Sequence, residues 1–80
     1  MHYVYYLVSA RAPARRYIGC TEDLRGRLLD HNSGATRSIA DFGPWQLKGY
    51  TAFESKPKAL AFERYLKSGS GHAFAVKRLW

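Results

Sequence analysis

From Tyr3 to Ser9 the chain reads YVYYLVS, apolar or aromatic at nearly every position. A run without polar alternation predicts a strand covered on both faces and therefore central in its sheet. The segment ARAPA, residues 10–14, breaks that run, and RRYIGC, residues 15–20, predicts a second short strand. A five-residue connection containing Pro13 makes an antiparallel hairpin the natural link between them.

Thr21 is a suitable N-cap, and Glu22 and Asp23 complement the positive end of a helix running to about Asn32, where Gly34 can stop it. At helical spacing Leu24 and Leu28 share an apolar stripe, with Arg27 and His31 on its flank. Gly26 inside this helix costs about 1 kcal/mol relative to alanine. Residues 33–44 read as a loop. WQLKGYTAF, residues 45–53, then alternates, which predicts a third strand with Trp45, Leu47, Thr51 and Phe53 on one side. Ser55 and Pro57 open a second helix whose apolar stripe is Ala59, Phe62 and Leu66. SGSG, residues 68–71, ends it, and HAFAVKRLW predicts a short final helix packing through Phe74 and Trp80. The predicted order is β-β-α-β-α-α, a mixed α+β fold with a three-stranded antiparallel sheet covered by helices.

Composition narrows the function. Eighty residues predict one domain spanning positions 1–80, with room for a single small core. Thirteen Lys and Arg against six Asp and Glu give a formal charge of +7, which points to a polyanionic partner, nucleic acid first. A membrane surface is the rival, but the longest apolar run, Tyr3 to Val8, is far too short to span a bilayer or to form a signal-peptide core. The expectation is a soluble, cytoplasmic protein that binds nucleic acid, with no membrane association and no small-molecule cofactor. Cys20 is the single cysteine, so neither an internal disulfide nor a cysteine-based zinc site can form. His2 and His72 belong to no recognisable metal-binding constellation. Oligomeric state is not readable from the pattern.

YVY at residues 3–5, YIG at 17–19, Arg27 and His31 in the following helix, and Glu63 in a later one stand in an order that resembles the GIY-YIG endonuclease superfamily. The closest form of the resemblance is to the small stand-alone bacterial domains of that kind, which often end in a segment like FERYLKSGSG, here residues 62–71. The first glycine of the GIY triplet is Tyr3 in this chain, so either Tyr5 or Tyr6 can be the matching tyrosine; register favours Tyr5.

The resemblance implies an antiparallel three-stranded sheet with the first strand central, and a metal-dependent DNA endonuclease. It assigns Tyr5 as general base, Tyr17 as a positioning group and Arg27 as the stabiliser of the transition state. His31 would take a proton from the tyrosine or orient it, and Glu63 would bind one divalent metal, Mg²⁺ or Mn²⁺. Those residue types suit the chemistry. Arginine offers a permanent charge and a planar fork of donors for phosphate oxygens. Mg²⁺ keeps several waters and so needs few protein ligands. A tyrosine beside a cation can have its pKa drawn down from about 10. Gly19 and Asn32 are expected to support the site, and Arg15, Arg16, Arg25, Arg37 and Lys67 to contact nucleic acid. Lys56, Lys58, Lys77 and Arg78 are further candidates for phosphate contacts.

Each residue taken singly has a plainer reading. Tyr5 and Tyr17 are then aromatics at the edge of a core, Arg27 a solvated helix charge, Glu63 and Lys67 an ordinary i,i+4 pair, and His31 structural. The competing function is a non-catalytic nucleic-acid-binding module of the same fold. A protein-interaction domain whose charge only keeps it soluble is the third.

Overall fold

The computed structural model describes residues 1–33 and 43–80. Its elements are β1 (His2–Ser9), β2 (Arg16–Thr21), α1 (Leu24–Asn32), β3 (Trp45–Phe53), α2 (Lys56–Leu66) and α3 (Gly69–Arg78). The strands form one antiparallel sheet in the order β2-β1-β3, so the uninterrupted apolar strand is the central one. Val4, Tyr5, Tyr6 and Leu7 are all buried because both faces of β1 are covered.

Alternation along β1 sorts the side chains into two cores. Val4 and Tyr6 pack with Ala59, Leu66 and Ala75 beneath α2 and α3, joined by Ile18, Cys20, Phe53, Phe62 and Trp80. Tyr5, Leu7 and Trp45 pack on the other face, joined by Tyr17 and by Leu24 and Leu28 of α1. Tyr5 and Tyr6 therefore project into different layers. The tyrosine that shares a face with Tyr17 is Tyr5.

The third strand departs from its predicted one-sided pattern. A register shift between Tyr6 and Leu7 pairs Tyr6 with Gly49 but Leu7 with Leu47, leaving Lys48 as the extra residue of a bulge. One extra residue moves every later side chain to the opposite face. Trp45 consequently lies in the α1 core while Phe53 lies in the α2–α3 core.

The helix boundaries are corrected in two places. Asp23, not Thr21, caps α1: its carboxylate accepts the Gly26 N–H at 3.0 Å. Thr21 is still strand, and its hydroxyl accepts the Asp23 N–H. The Asp23 carboxylate lies where a Cβ on Gly26 would stand, so the glycine makes room for its own cap. Ser33 caps the other end of α1, and Gly34 and most of the predicted loop lie outside the described residues.

The second correction concerns SGSG. Ser55 caps α2 as predicted, with Pro57 in the first turn, and α2 ends before SGSG as expected, but the final helix begins within that segment rather than after it. Ser68 is itself an N-cap, and Gly69 to Gly71 form the first turn of α3. Gly71 is buried against the Tyr65 carbonyl, and a Cβ there would stand 2.4 Å from the Tyr65 carbonyl carbon. The absence of a side chain lets α3 turn back tightly onto α2. Ala75, rather than Phe74, faces the core; Phe74 is exposed and tilts against Tyr65.

Candidate active site

β2 is an edge strand, and its pairing with β1 sets Gly19 opposite Tyr5 and Tyr17 opposite Leu7. The two tyrosines are thus diagonal rather than face to face, with ring centroids 6.1 Å apart. Gly19 explains how they fit. A Cβ at that position would stand 2.6 Å from Cζ of Tyr5 and 3.0 Å from Cε1 of Tyr17, so the phenol of Tyr5 lies directly over bare backbone. The glycine of the YIG triplet is required by close approach, not by an unusual φ.

The helix α1 brings two further groups onto this face. Leu24 and Leu28 seat it against Tyr5, Leu7 and Trp45. Its far end is fastened by Asn32, whose side-chain carbonyl accepts the Trp45 N–H at 2.5 Å and whose amide donates to the Trp45 carbonyl at 3.2 Å. That pair of hydrogen bonds to the start of β3 holds the neighbouring His31 in place. His31 is buried at 1% exposure, its Nε2 lies 2.8 Å from the Tyr5 hydroxyl, and its ring centroid is 4.9 Å from that of Tyr17. Arg27, one turn earlier, sets its guanidinium beside the hydroxyls of Tyr5 and Tyr17 and interacts with both. A guanidinium can only donate, so toward Arg27 the Tyr5 oxygen can act only as an acceptor, which leaves the phenol proton for a neutral Nε2 of His31.

Electrostatics set the protonation states. Burial pushes the Tyr5 phenol up to about 12; the hydrogen bond from Arg27 and its charge oppose this, and Tyr17 adds to it. The lowered tyrosine pKa expected from a neighbouring cation does not occur in the protein by itself, because the loss of solvent outweighs the guanidinium. Burial, reinforced by the Arg27 charge, pushes the His31 imidazole below its usual value, with Asp30 opposing weakly. His31 is accordingly neutral near pH 7 and can accept a proton. Among the described residues its Nδ1 has no hydrogen-bond partner.

Glu63 belongs to the other layer. It projects from α2, is partly buried, and its Oε2 accepts from Lys67 Nζ at 2.9 Å, the plain i,i+4 pair. Its charge reaches Cys20 on β2, the residue after Gly19. Burial first, then Glu63 and Glu22, push the Cys20 thiol up, so it is an unreactive thiol. The structure thus brings Tyr5, Tyr17, Arg27 and His31 together on one side of the β2 edge and sets Glu63 on the other side. An open cleft of about 510 Å³ runs along this edge, lined by Arg16, Tyr17, Ile18, Leu66, Lys67, His72 and Trp80 among others. Tyr17 of one half and Lys67, the partner of Glu63, border the same cleft.

Among the described residues no three His, Cys, Asp or Glu side chains cluster as a metal site. The Glu63 carboxylate, partly buried, is the kind of oxygen donor a hard divalent cation carrying most of its own water takes, and Lys67, which now pairs with it, would have to give it up. The remaining predicted contacts are dispersed. Arg15 and Arg16 are exposed at the hairpin and the start of β2. Arg25 is exposed over a depression it shares with Leu24, Leu28 and Leu47, away from the cleft. Arg37 lies outside the described residues. Trp80 and His72 were not among the residues expected at the site. An aromatic in a basic tail was their only sequence signal. No described helix is long and apolar enough to cross a membrane.

Comparison with known proteins identifies the family. The family model described as the GIY-YIG catalytic domain matches residues 1–74. The chain is 36% identical over 59 residues to a structure-specific endonuclease subunit SLX1 homolog of Giardia intestinalis. That match covers 69% of this chain and 16% of the relative, so the chain spans only a small part of that protein's length. No solved structure matches.

Proposed function

The chain belongs to the GIY-YIG catalytic-domain family, and we propose that it is a metal-dependent endonuclease that hydrolyses phosphodiester bonds in DNA. The observation that carries this reading is the buried Tyr5–His31 hydrogen bond with the Arg27 guanidinium beside it, next to a cleft that Tyr17 shares with the partner of Glu63. The naming of the Giardia intestinalis relative as a structure-specific endonuclease subunit supports the same class of activity.

In this reading Arg27 holds the non-bridging phosphate oxygens and stabilises the charge that gathers on them as water adds to phosphorus. Tyr5 removes the proton from the attacking water. A phenol with a pKa of about 12 is rarely ionised near neutrality, so Tyr5 passes its own proton to Nε2 of His31 as it receives the one from water. Tyr17 orients the water or the phosphate. The P–O3′ bond breaks, and the leaving oxygen takes a proton from solvent. Glu63 would hold Mg²⁺ or Mn²⁺, which supplies Lewis-acid polarisation of the phosphate. Lys67 then releases Glu63 and is free for a phosphate.

The test is cleavage of labelled duplex, nicked and branched DNA with Mg²⁺ or Mn²⁺ by the parent protein and by Glu63→Ala and Arg27→Ala. Loss of cleavage in both variants, with DNA binding kept in Glu63→Ala, is the expected result. Undiminished cleavage by Glu63→Ala would sink the metal assignment.

The raised pKa of Tyr5 favours a second reading, a nucleic-acid-binding module with little chemistry. Salt-sensitive binding with no metal-dependent cleavage of any substrate would select it.

A further inference from the structure

We propose that the cleft along the β2 edge is a subsite for one unpaired nucleotide, with the base stacked on the Arg16–Trp80 pair and its phosphate facing Lys67 and His72. The proposal rests on the nuclease reading and adds to it the class of DNA the site accepts.

The stacking surface is prebuilt. Trp80 is partly buried, its backbone N–H donates to the Ala75 carbonyl at 3.0 Å, and its indole meets the Tyr6 ring edge-on at 6.1 Å. The exposed Arg16 guanidinium lies 5.1 Å from the indole centroid. A guanidinium plane and an indole are both surfaces on which bases stack. Holding them together in advance reduces what binding must order.

The lining is also charged in one sense. Arg16 and Lys67 are cationic, Lys67 with Glu63 as its ion-pair partner at 2.9 Å, and no Asp or Glu side chain lines the cleft among the described residues. Ile18 and Leu66 form part of its wall, and the volume of about 510 Å³ falls within the range of small-molecule pockets, roughly 300–1,000 Å³. An aromatic platform, an apolar wall and a cationic rim match a nucleotide rather than an acidic peptide, which offers no flat face to stack. Duplex DNA does not fit the same description. A paired base shows only its edge in a groove, whereas an unpaired base can present its face. Tyr17 lines both this cleft and the Tyr5–Arg27–His31 cluster, so the unpaired nucleotide would lie next to the phosphate that is cut.

The test is anisotropy of labelled DNA in EDTA, so that binding is read without cleavage, comparing a blunt duplex with the same duplex carrying a short single-stranded overhang. The parent protein is expected to bind the overhang DNA about 10-fold more tightly, with quenching of indole fluorescence, in line with one base–aromatic stack. Trp80→Leu is expected to abolish both the preference and the quenching. Because Trp80 touches Tyr6, Arg16→Ala is the second variant: Arg16 is exposed, and its loss should cut the preference several-fold with the fold intact. Equal affinity of the parent protein for both DNAs would overturn the proposal, as would a preference that survives in both variants. A preference for the overhang without cleavage of any substrate in Mg²⁺ or Mn²⁺ would keep this subsite and reject the nuclease. Cleavage without the preference would do the reverse.

Discussion

The Tyr5 hydroxyl and the His31 Nε2, separated by 26 residues in the chain, meet at 2.8 Å in the buried layer beneath α1. One contact joins the central strand to the far end of a helix. It also couples two groups whose pKa values burial drives apart, the phenol upward and the imidazole downward. Both changes favour the neutral pair. The proton therefore rests on Tyr5 until something else pushes it toward His31.

Tyr5→Phe should keep the ring that packs over Gly19 and lose only the hydroxyl. Leaving Arg27 and His31 without that partner is expected to cost about 1–3 kcal/mol in chemical denaturation. Cleavage should fall by about 10²–10⁴-fold. The variant should also be less sensitive to alkali. In the parent protein Tyr5 has a folded pKa of about 12 against about 10 unfolded, so its contribution is fully present below pH 10 and is lost as pH rises toward 12. Parallel stability curves for the two proteins over that window would refute the burial argument.

For His31 the sign is opposite. The folded pKa is lowered, so between it and the unfolded value of about 6.5 the unfolded chain binds more protons than the native one. Stability contributed by the neutral imidazole is present above about pH 6.5 and declines as pH falls through that value toward the folded pKa. His31→Gln should flatten this decline. An NMR titration of the imidazole should place its midpoint below 6.5, and a midpoint above it would contradict the structure.

Gly19→Ala tests the close approach over β2. A Cβ would stand 2.6 Å from Cζ of Tyr5, so the ring must move or the strand must bow. A stability loss of about 1–3 kcal/mol is expected from overpacking, with a larger proportional loss of cleavage because the displaced group is Tyr5. Unchanged turnover in a folded Gly19→Ala protein would show that the placement of Tyr5 is unimportant.

Asn32→Ala removes the clamp on Trp45 and should cost about 1–3 kcal/mol, since a buried Trp45 N–H loses its acceptor. The released end of α1 carries His31 with it. Turnover should fall more than DNA affinity, and Asn32→Asp, which keeps the acceptor, should recover part of it. Equal losses of turnover and affinity would argue that Asn32 acts on binding alone.

Much of this protein was legible before any coordinates. The uninterrupted apolar run predicts that β1 is central, since only a strand covered on both faces can be apolar at successive positions. Ser55 with Pro57 marks the start of α2, and the i,i+4 spacing of Leu24 and Leu28 marks the face on which α1 packs. The spacing of YVY, YIG, Arg27, His31 and Glu63 points to the family, because it records which elements carry which groups.

Other features depend on relations that no local pattern carries. The bulge at Lys48 exists only as a register between two strands, and it decides which core receives Trp45 and which receives Phe53. The glycines at 69 and 71 look like a helix break until the Tyr65 carbonyl is seen to occupy the space a side chain would need. The same holds for the site. Sequence named the tyrosines, the arginine and the histidine, but packing decided that Tyr5 rather than Tyr6 faces them, that burial outweighs Arg27 at the phenol, and that Trp80 closes the cleft beside them. Periodicity encodes the faces of single elements; solvent exclusion and close approach arise only when two elements meet.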